Sequence, residues 1–538
     1  MQRVKEAFVK EVQSGYSLTE PSLVIGSALL DGEPLTDPRI QVALTVLNRH
    51  GLVAGATGTG KTKTLQVLAG QLSDAGVPVF VADIKGDLTG LAAPGDASSA
   101  KLQERCQQMA WEFKPAGHAV DFLSLTGKVG AQVRATVHSF GPTLFGKVLG
   151  LNETQTSILA MVFKYCDDNQ LPLLDLPDLR TTLQYLTSDA GKPELAQYGG
   201  IAAASVGVLL RALATFEQEG AGAFFGEPEF DVQDLIRTDT SGKGLISLLE
   251  LSDVLEKPKL FSTFMLWMLA QLWNLLPEIG DPPKPKLVFF FDEAHLLFDG
   301  ASKALLAEIE RTVRLIRSKG VGIYFVTQVP GDVPSSVLAQ LGNRVQHALR
   351  AFTPQDADAL RKAARTFPKS DFYDTEKLLT SLGTGEAAVT VLSPKGVPTP
   401  LAATRLIPPD SLMDALDAVT VQRLISVSPL TAKYATPIDP ESAHEIITAR
   451  IQAAQEEAAA AAAQAETKPR PLTAAEQVRM ERQAAAEKAR AERERVAAER
   501  QKQRMLETGV RTAGRVVTSR AGQDLIRGVF GTLFGGKR

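Results

Sequence analysis

A glycine-rich octapeptide constrains the fold of this 538-residue chain more than any other feature. Residues 55–62 read GATGTGKT and match the pattern G-x-x-x-x-G-K-[ST] at every fixed position. An apolar segment ending in GLVA precedes the octapeptide, and the helical sequence TKTLQVLAGQL overlaps its end. A strand, a glycine-rich loop and a helix in this order predict a phosphate-binding loop, because backbone amides at a helix N-terminus attract anions.

The residue types of this loop predict roles in binding a nucleotide with Mg²⁺. The glycines let the backbone curl around phosphate, Lys61 reaches the β- and γ-phosphates, and Thr62 ligates the metal. ATP and Mg²⁺ are therefore the expected cofactors. The predicted nucleotide-binding residues are Gly55, Ala56, Thr57, Gly58, Thr59, Gly60, Lys61, Thr62 and Lys63.

Apolar segments on both sides of the loop predict the strands that hold it. The segment 22–26 reads SLVIG, and longer β-rich segments follow at 77–83, 286–292 and 321–327. Residues with helical periodicity separate these segments, most of them between 96 and 280. This alternation predicts an α/β fold with a mainly parallel sheet.

Two acidic residues end the segment at 286–292, which continues as FFFDEAH. Asp292 and Glu293 are therefore expected at the carboxyl edge of the sheet, where open α/β folds bind their ligands. We predict that Asp292 holds Mg²⁺ and that Glu293 orients or deprotonates the attacking water. For His295, two residues later, a structural role and a role in sensing nucleotide or DNA are both open.

Two further strand ends carry polar candidates for the same edge. Asp83 ends the segment at 77–83 and is a candidate to organise the water or Mg²⁺ shell, although Asp83 and Asp87 can equally serve as capping or turn residues. Thr327 and Gln328 end the segment at 321–327, where Gln328 can sense the γ-phosphate. The alternative for Gln328 is an ordinary polar residue at a strand end.

Arginine matters because γ-phosphoryl transfer leaves charge on the phosphate oxygens, and a guanidinium from a neighbouring subunit can stabilise that charge. Arg317 is the first choice for this role, and a solvated or salt-bridged surface position is the alternative for each arginine taken singly. The candidates are Arg311, Arg314, Arg317, Arg344 and Arg350.

Together these motifs resemble the HerA/FtsK superfamily of ring-forming, DNA-pumping P-loop ATPases, and most closely its bacterial YjgR-like branch. The resemblance rests on segments 48–62, 81–88, 286–298, 317–328 and 340–354. It implies a RecA-like core that works as a hexamer, with ATP between subunits and DNA in a central channel.

The resemblance also implies roles for individual residues. Arg317 lies where an arginine finger is expected, and the positions that match the family's nucleotide site are Lys61, Thr62, Asp83, Asp292, Glu293 and Gln328. HerA proteins carry a β-barrel ahead of the ATPase through which they engage a nuclease. Only about fifty residues precede the phosphate loop here, so a full barrel is not expected and a nuclease partner stays open.

Shifts in composition predict the organisation of the chain, whose length alone suggests roughly three to four structural units. The Ala-, Glu- and Arg-rich segment that begins at 443 has the propensity to form a helix or a coiled coil. It has few apolar residues of the kind that form the interface between the helices of a coiled coil. The predicted parts are a short β-containing N-terminal segment at 1–47, a RecA-like ATPase core at 48–95 and 281–410, a mainly helical insertion at 96–280, a connecting segment at 411–442, an Ala/Glu/Arg-rich helical arm at 443–505 and a basic, glycine-containing segment at 506–538.

Composition limits the class of protein. With 44% hydrophobic and 22% charged residues, the chain is expected to be soluble and globular, and its net charge of −3 gives no global basic field. Residues 501–538 alone carry eight basic and two acidic residues. Cys106 and Cys166 lack metal-ligand spacing and are expected to be free thiols. Without a signal peptide or a transmembrane segment, the expected location is the cytoplasm.

The leading prediction is an ATP-hydrolysing, hexameric motor that acts on DNA as a translocase or helicase through phosphate contacts, without reading base edges. The helical insertion is also similar to ATPases of conjugation and type IV secretion. The alternative is therefore an ATPase that powers protein or secretion-type transport and docks an unidentified protein partner through its C-terminal segment. A third possibility is a nucleotide-dependent assembly scaffold, against which Glu293 argues because a pure switch has little need of a catalytic acid.

Overall fold

A computed structural model describes residues 2–200, 202–252, 254, 257–299, 303–466 and 474–505. The basic segment expected at 506–538 lies outside these residues. The strands are β1 (Ser22–Leu30), β2 (Glu33–Ala43), β3 (Gly51–Ala54), β4 (Val79–Asp83), β5 (Val120–Ser124), β6 (Ala131–Gln132), β7 (Ile246–Glu250), β8 (Leu287–Phe291), β9 (Val321–Thr327), β10 (Asn343–His347), β11 (Glu386–Thr390) and β12 (Ala402–Leu406).

Helices connect these strands and continue beyond them. The first nine are α1 (Gln2–Tyr16), α2 (Lys61–Asp74), α3 (Ala100–Met109), α4 (Val137–Val148), α5 (Glu153–Asp168), α6 (Leu176–Thr187), α7 (Lys192–Ala196), α8 (Ala203–Gln218) and α9 (Pro258–Leu275). The others are α10 (His295–Phe298), α11 (Lys303–Ile316), α12 (Ser335–Leu338), α13 (Pro354–Ala364), α14 (Thr375–Ser381), α15 (Ala418–Val427), α16 (Pro429–Tyr434), α17 (Ala443–Glu466) and α18 (Ala474–Met505).

One mixed sheet joins the twelve strands of the described residues in the order β2-β1-β12-β11-β10-β3-β9-β8-β4-β7-β5-β6. The eight strands from β10 to β6 are parallel. The four pairings from β10 back to β2 are antiparallel. This topology confirms the predicted α/β class with a mainly parallel sheet, and it brings the carboxyl ends of β3, β4, β8 and β9 to one edge.

The central strands form where the sequence is continuously apolar. All five residues of β8, LVFFF, are buried, and all seven of β9 are buried. Phe289 packs against Phe80 of β4 and Phe291, with ring centroids 5.0 and 5.9 Å apart. Strands of a parallel sheet covered on both faces are expected to read as unbroken apolar runs, which is why the sequence located these strands closely.

The segment 96–280 contributes to the sheet as well as supplying helices. It contains α3 to α9, and it also contains β5, β6 and β7, which the sequence analysis did not identify. Val79 of β4 is paired with Ile246 of β7 on one side and with Val288 of β8 on the other. The boundaries drawn at 96 and 280 therefore do not follow the sheet, because its parallel part continues through β7 and β5.

The chain forms two compact units. One comprises Met1–Leu183 and Tyr198–Ala443 and contains the sheet. The other comprises Gln184–Gln197 and the described residues after Ala443, and in it α18 is 32 residues long, with every described side chain exposed. No helix within the described ranges has an apolar stretch long enough to cross a bilayer. Cys106 and Cys166 are both buried and free.

The position of β7 predicts how much the segment 96–280 stabilises the sheet. Leu248 lies in β7 and is fully buried. We expect Leu248→Ala to lower the free energy of unfolding by about 2–5 kcal/mol, because it leaves a cavity in the main core. Chemical denaturation measures this change. Val419→Ala, at an exposed position of α15, serves as the control, and equal stability of both variants would contradict the placement of β7 in the core.

Candidate nucleotide-binding and hydrolytic site

The phosphate loop lies between β3 and α2 and is fixed by both neighbouring strands of the sheet. The amide of Gly55 donates to the carbonyl of Thr327 in β9 at 3.2 Å. The amide of Ala56 donates to the carbonyl of Ala348, just beyond β10, at 2.9 Å. These bonds hold the start of the loop open at the carboxyl edge of the sheet, where the remaining amides can face a ligand.

The glycines of the loop are required by conformation and by space. Gly58 and Gly60 have φ angles of +77° and +111°, in the region that favours glycine. A Cβ atom at Gly55 would lie 2.4 Å from the Cβ of His347. The loop therefore tolerates no side chain at Gly55 and only strained ones at the other two positions.

Lys61 begins α2 and folds back over the loop. Its Nζ donates to the carbonyl of Gly55 at 2.7 Å and to that of Ala56 at 3.3 Å. Burial lowers the pKa of Lys61, while the carboxylates of Glu293 and Asp292 oppose this change. The ammonium of Lys61 is therefore hydrogen-bonded to two carbonyl oxygens of the loop. The phosphate oxygens of a bound nucleotide can replace these acceptors.

The next two residues of the predicted nucleotide-binding set, Thr62 and Lys63, differ in where their side chains lie. Thr62 is partly buried in the first turn of α2, beside Lys61. Lys63, in contrast, donates from its Nζ to the carbonyl of Met413. The Lys63 side chain is therefore directed away from the loop, and only its backbone remains available to a phosphate.

Asp292 and Glu293 form a tight turn after β8. The amide of Asp292 donates to Ala82 in β4 at 3.3 Å, and the amide of Ala294 donates to Val326 in β9 at 2.9 Å. Between them Glu293 has a φ of +45°, which is uncommon for a residue with a side chain. Neighbouring strands thus fix this turn from both sides, as is often found where strain is kept at a functional site.

Asp292 has the properties of a cation ligand. It is 3% exposed, and its Oδ2 has no hydrogen-bond partner among the described residues. Burial raises its pKa to about 7, and the adjacent Glu293 adds to the rise. Carboxylate oxygens of Asp83, Asp87 and Asp292 lie within 4.8 Å of one another. An unpaired buried carboxylate oxygen beside two further carboxylates fits a hard divalent cation such as Mg²⁺.

Asp83 performs the turn role that the sequence left open. Its side chain accepts hydrogen bonds from the amides of Lys85, Gly86 and Leu88 at 3.1, 2.8 and 2.9 Å. Burial raises its pKa to about 6, against the lowering effect of these bonds. Asp83 therefore fixes the turn after β4, and any part in a metal shell comes in addition to this role.

Gln328 lies at the same edge, at the end of β9. On either side of it, the hydroxyl of Thr327 and the amide of Val329 donate to one oxygen of Asp332, at 2.6 and 3.0 Å. The Gln328 side chain itself is exposed. The turn thus presents the side-chain amide of Gln328 to solvent beside the phosphate loop. Because β9 lies between β3 and β8 in the strand order, Gln328 lies between the ends of these two strands.

His347 packs against the phosphate loop, a role that was not predicted from the sequence. The ring is fully buried, with Nδ1 3.1 Å from the carbonyl of Thr59 and Nε2 2.8 Å from the hydroxyl of Thr64. Burial lowers the pKa of His347 to about 4, and Lys61 adds to the decrease. The neutral ring therefore links the loop to α2. The only signal in the sequence was a histidine in the segment 340–354.

Sequence reasoning also missed the partner of Glu293. The Nζ of Lys85 forms an ion pair with Glu293 Oε1. His295, for which two roles were open, lies on the other side, with its Nδ1 3.5 Å from Glu293 Oε2. Lys85 was visible in the sequence only as part of VADIKGDL, with nothing to indicate its partner.

The family of the chain follows from a match along most of its length. The sequence model described as helicase HerA-like C-terminal matches residues 29–538. The chain belongs to this family. The predicted membership is thereby confirmed, and with it the P-loop NTPase class of the fold.

Several solved structures are similar to this HerA-like chain. The bacterial conjugative coupling protein TrwBdeltaN70 is 13% identical, with 75% of this chain and 99% of that chain covered and a TM-score of 0.46. VirB4 of Thermoanaerobacter pseudethanolicus is 15% identical, with 73% and 98% covered and a TM-score of 0.44. None of the curated protein sequences matches the chain. The assignment therefore rests on the family match.

Two of the candidate arginines of the HerA-like chain, Arg317 and Arg350, lie at opposite edges of the sheet, whereas Arg344 lies within β10 and Arg311 and Arg314 lie in α11. Arg317 precedes β9 and lies at the edge opposite the phosphate loop, where its Nη2 is 3.0 Å from Asp281 Oδ1. Arg49 binds the other oxygen of Asp281, also at 3.0 Å. Arg350 follows β10 at the edge of the loop and donates from Nη1 to Thr380 at 2.9 Å. Arg317 thus cannot reach the phosphate loop of its own chain.

The lowered pKa of His347 predicts a pH dependence of stability. The folded state holds the ring neutral down to about pH 4, whereas the unfolded chain takes up a proton below the ordinary value of 6.5. As the pH falls from 6.5 towards 4, this residue should lower the free energy of unfolding by up to about 1.4 kcal/mol per pH unit.

Urea unfolding between pH 7 and 4.5 measures this contribution. We expect His347→Gln to be less stable at pH 7 and to show a flatter decline with acid than the wild type. His138→Gln, at an exposed position, is the control. Parallel curves for His347→Gln and the wild type would show that the buried ring does not titrate in this way.

Proposed function

We propose that this HerA-like chain is a Mg²⁺-dependent ATPase whose hydrolysis drives movement along DNA. The observation that carries the proposal is the placement of Lys61, Asp292 and Glu293 at one edge of the sheet. Lys61 supplies a cation over an open loop of amides, Asp292 an unpaired carboxylate oxygen, and Glu293 a buried carboxylate beside them. Phosphate binding alone would need the first of these, whereas hydrolysis uses all three.

In the proposed mechanism Lys61 and the loop amides bind the β- and γ-phosphates. Thr62 and Asp292 would hold Mg²⁺, which offsets charge on the phosphate oxygens when bound. Glu293 accepts a proton from the attacking water as the water oxygen bonds to the γ-phosphorus and the bond to the ADP oxygen breaks. Gln328 is exposed at the end of β9, where its side-chain amide donates a hydrogen bond to the γ-phosphate or orients the attacking water.

The proposed cargo is DNA, bound through its phosphates. The description of the family as helicase-like supports this choice, and no motif for reading base edges is present in the sequence. Binding of this kind releases counterions and weakens steeply as salt is added.

The proposed assembly is a closed ring, with six subunits as expected from the family resemblance. The position of Arg317 supports a ring, because the guanidinium and the phosphate loop lie at opposite edges of the same sheet. A neighbouring copy can bring its Arg317 to the γ-phosphate, as arginine fingers supplied in trans do.

The first test is ATP turnover by the full-length protein with and without duplex and single-stranded DNA. We expect turnover that DNA stimulates and that added salt reduces. Lys61→Ala should lose phosphate binding or turnover, and Glu293→Gln should bind ATP but turn over about 10²- to 10⁴-fold more slowly, because it lacks the base.

Each other outcome of this assay points elsewhere. Full turnover by Glu293→Gln would show that this residue is not the base. Turnover indifferent to both DNAs would refute DNA as the cargo and favour the protein-transport alternative. ATP binding with negligible turnover by the wild type would favour the assembly scaffold.

Mixing variants tests the ring. Arg317→Ala should lose turnover while its ATP affinity changes little, and mixing it with the Lys61→Ala variant should restore part of the activity. Rescue occurs because some interfaces in the mixture combine an intact loop with an intact arginine. Arg361→Ala, at an exposed position of α13, is the control and should remain active. The absence of rescue would refute a role of Arg317 in trans.

A further inference from the structure

Lys85 and Glu293 form an ion pair inside the candidate site although 208 residues separate them in the sequence. The Glu293 side chain is 6% exposed, and the Lys85 side chain is 49% exposed. We propose that Lys85 is the positioning residue of Glu293, holding one carboxylate oxygen so that the other faces the attacking water. This inference rests on the proposed ATPase function and adds to it a residue that acts through Glu293.

The two oxygens of Glu293 have different surroundings. Oε1 is bound by Lys85, whereas Oε2 is buried, accepts no hydrogen bond from the described residues and has only the longer 3.5 Å contact with Nδ1 of His295. A buried acceptor left without a donor is costly, and at a functional site it indicates a missing partner. A water molecule beside the γ-phosphate is such a partner, since it would donate the proton that Oε2 accepts.

Charge gives a second reason for the pair. Asp292 and Glu293 are adjacent, and both are buried, so their carboxylates repel each other. Lys61 also attracts Glu293 through space, but its Nζ donates its hydrogen bonds to the carbonyls of Gly55 and Ala56 and leaves the orientation of the carboxylate unfixed. Lys85 supplies the cation that keeps the Glu293 carboxylate in place against its neighbour.

The backbone around Lys85 is fixed independently of Glu293. Asp83 accepts hydrogen bonds from three amides of the turn, including that of Lys85 itself. Gly86 has a φ of +72°, which lets the turn close directly after Lys85. Asp83 thus positions Lys85, and Lys85 in turn positions Glu293 across the gap between β4 and β8.

The test compares steady-state kinetics of full-length Lys85→Met and Lys85→Arg with the wild type. For Lys85→Met we expect kcat to fall by about tenfold or more, while KM and the affinities for ATP and ADP change less than about twofold. Lys85→Arg keeps the charge and should recover most of the rate. Lys243→Met removes a similarly exposed lysine that pairs with Asp74, and it should leave kcat unchanged.

A second measurement separates action through Glu293 from direct contact with phosphate. In single-turnover assays, Lys85→Met combined with Glu293→Gln should be no slower than Glu293→Gln alone, because the positioned group is already missing. An additive loss, or a fall in ATP affinity relative to ADP, would overturn the proposal and place Lys85 on the γ-phosphate. An unchanged kcat in Lys85→Met would show that the pair has no part in turnover.

The failure of this proposal is distinguishable from failure of the proposed function. A wild-type protein without turnover that depends on Glu293 would refute the ATPase function, and the positioning role with it. An active wild type beside an equally active Lys85→Met variant would refute the positioning role alone. Unchanged thermal unfolding of Lys85→Met excludes misfolding as the cause of a lower rate.

Discussion

The two backbone hydrogen bonds that hold the phosphate loop, from Gly55 to Thr327 and from Ala56 to Ala348, set the arrangement of the whole site. They require β3 to lie between β9 and β10, so the loop opens at the carboxyl edge of the sheet. Because β8 is next to β9, the same order brings Asp292 to this edge. Asp292, Glu293 and Gln328 follow directly after a strand, and Lys61 follows a loop fixed to two strands, so their positions depend on backbone pairing more than on flexible side chains.

Burial explains which strands the sequence revealed. β8 and β9 are covered on both faces and contain almost only apolar residues, so their unbroken apolar runs located them in the sequence. β10 reads NRVQH and lies beside the phosphate loop, yet no apolar run marks it. Its Asn343 donates to the carbonyls of Val46 and His50, at 3.1 and 3.0 Å. Polar residues of a central strand are stabilised by distant partners, which a single sequence does not disclose.

The site shows the same division between local and long-range information. The loop, Asp292 and Glu293 could be predicted because their roles follow from spacing and from their place at a strand end. The partners of these groups could not, because Lys85 meets Glu293 across 208 positions and His347 meets Thr64 across 283. Asp83 is intermediate between these cases. Its position at the end of a strand could be predicted from the sequence, but only the structure shows that three amides of the next turn donate to its carboxylate.

The sheet also limits what one copy of the chain can do. Arg317 and the phosphate loop are separated along β9, whose seven residues span about 20 Å from the first to the last at a rise of roughly 3.3 Å per residue. No side-chain rotation covers that distance, and shortening it would require breaking the pairing of β9 with β3 and β8. An arginine that acts on the γ-phosphate from this position must therefore serve the loop of another copy. The Arg317 edge of the sheet in one copy would then face the phosphate-loop edge of the sheet in a neighbouring copy. Oligomerisation would therefore be part of the chemistry.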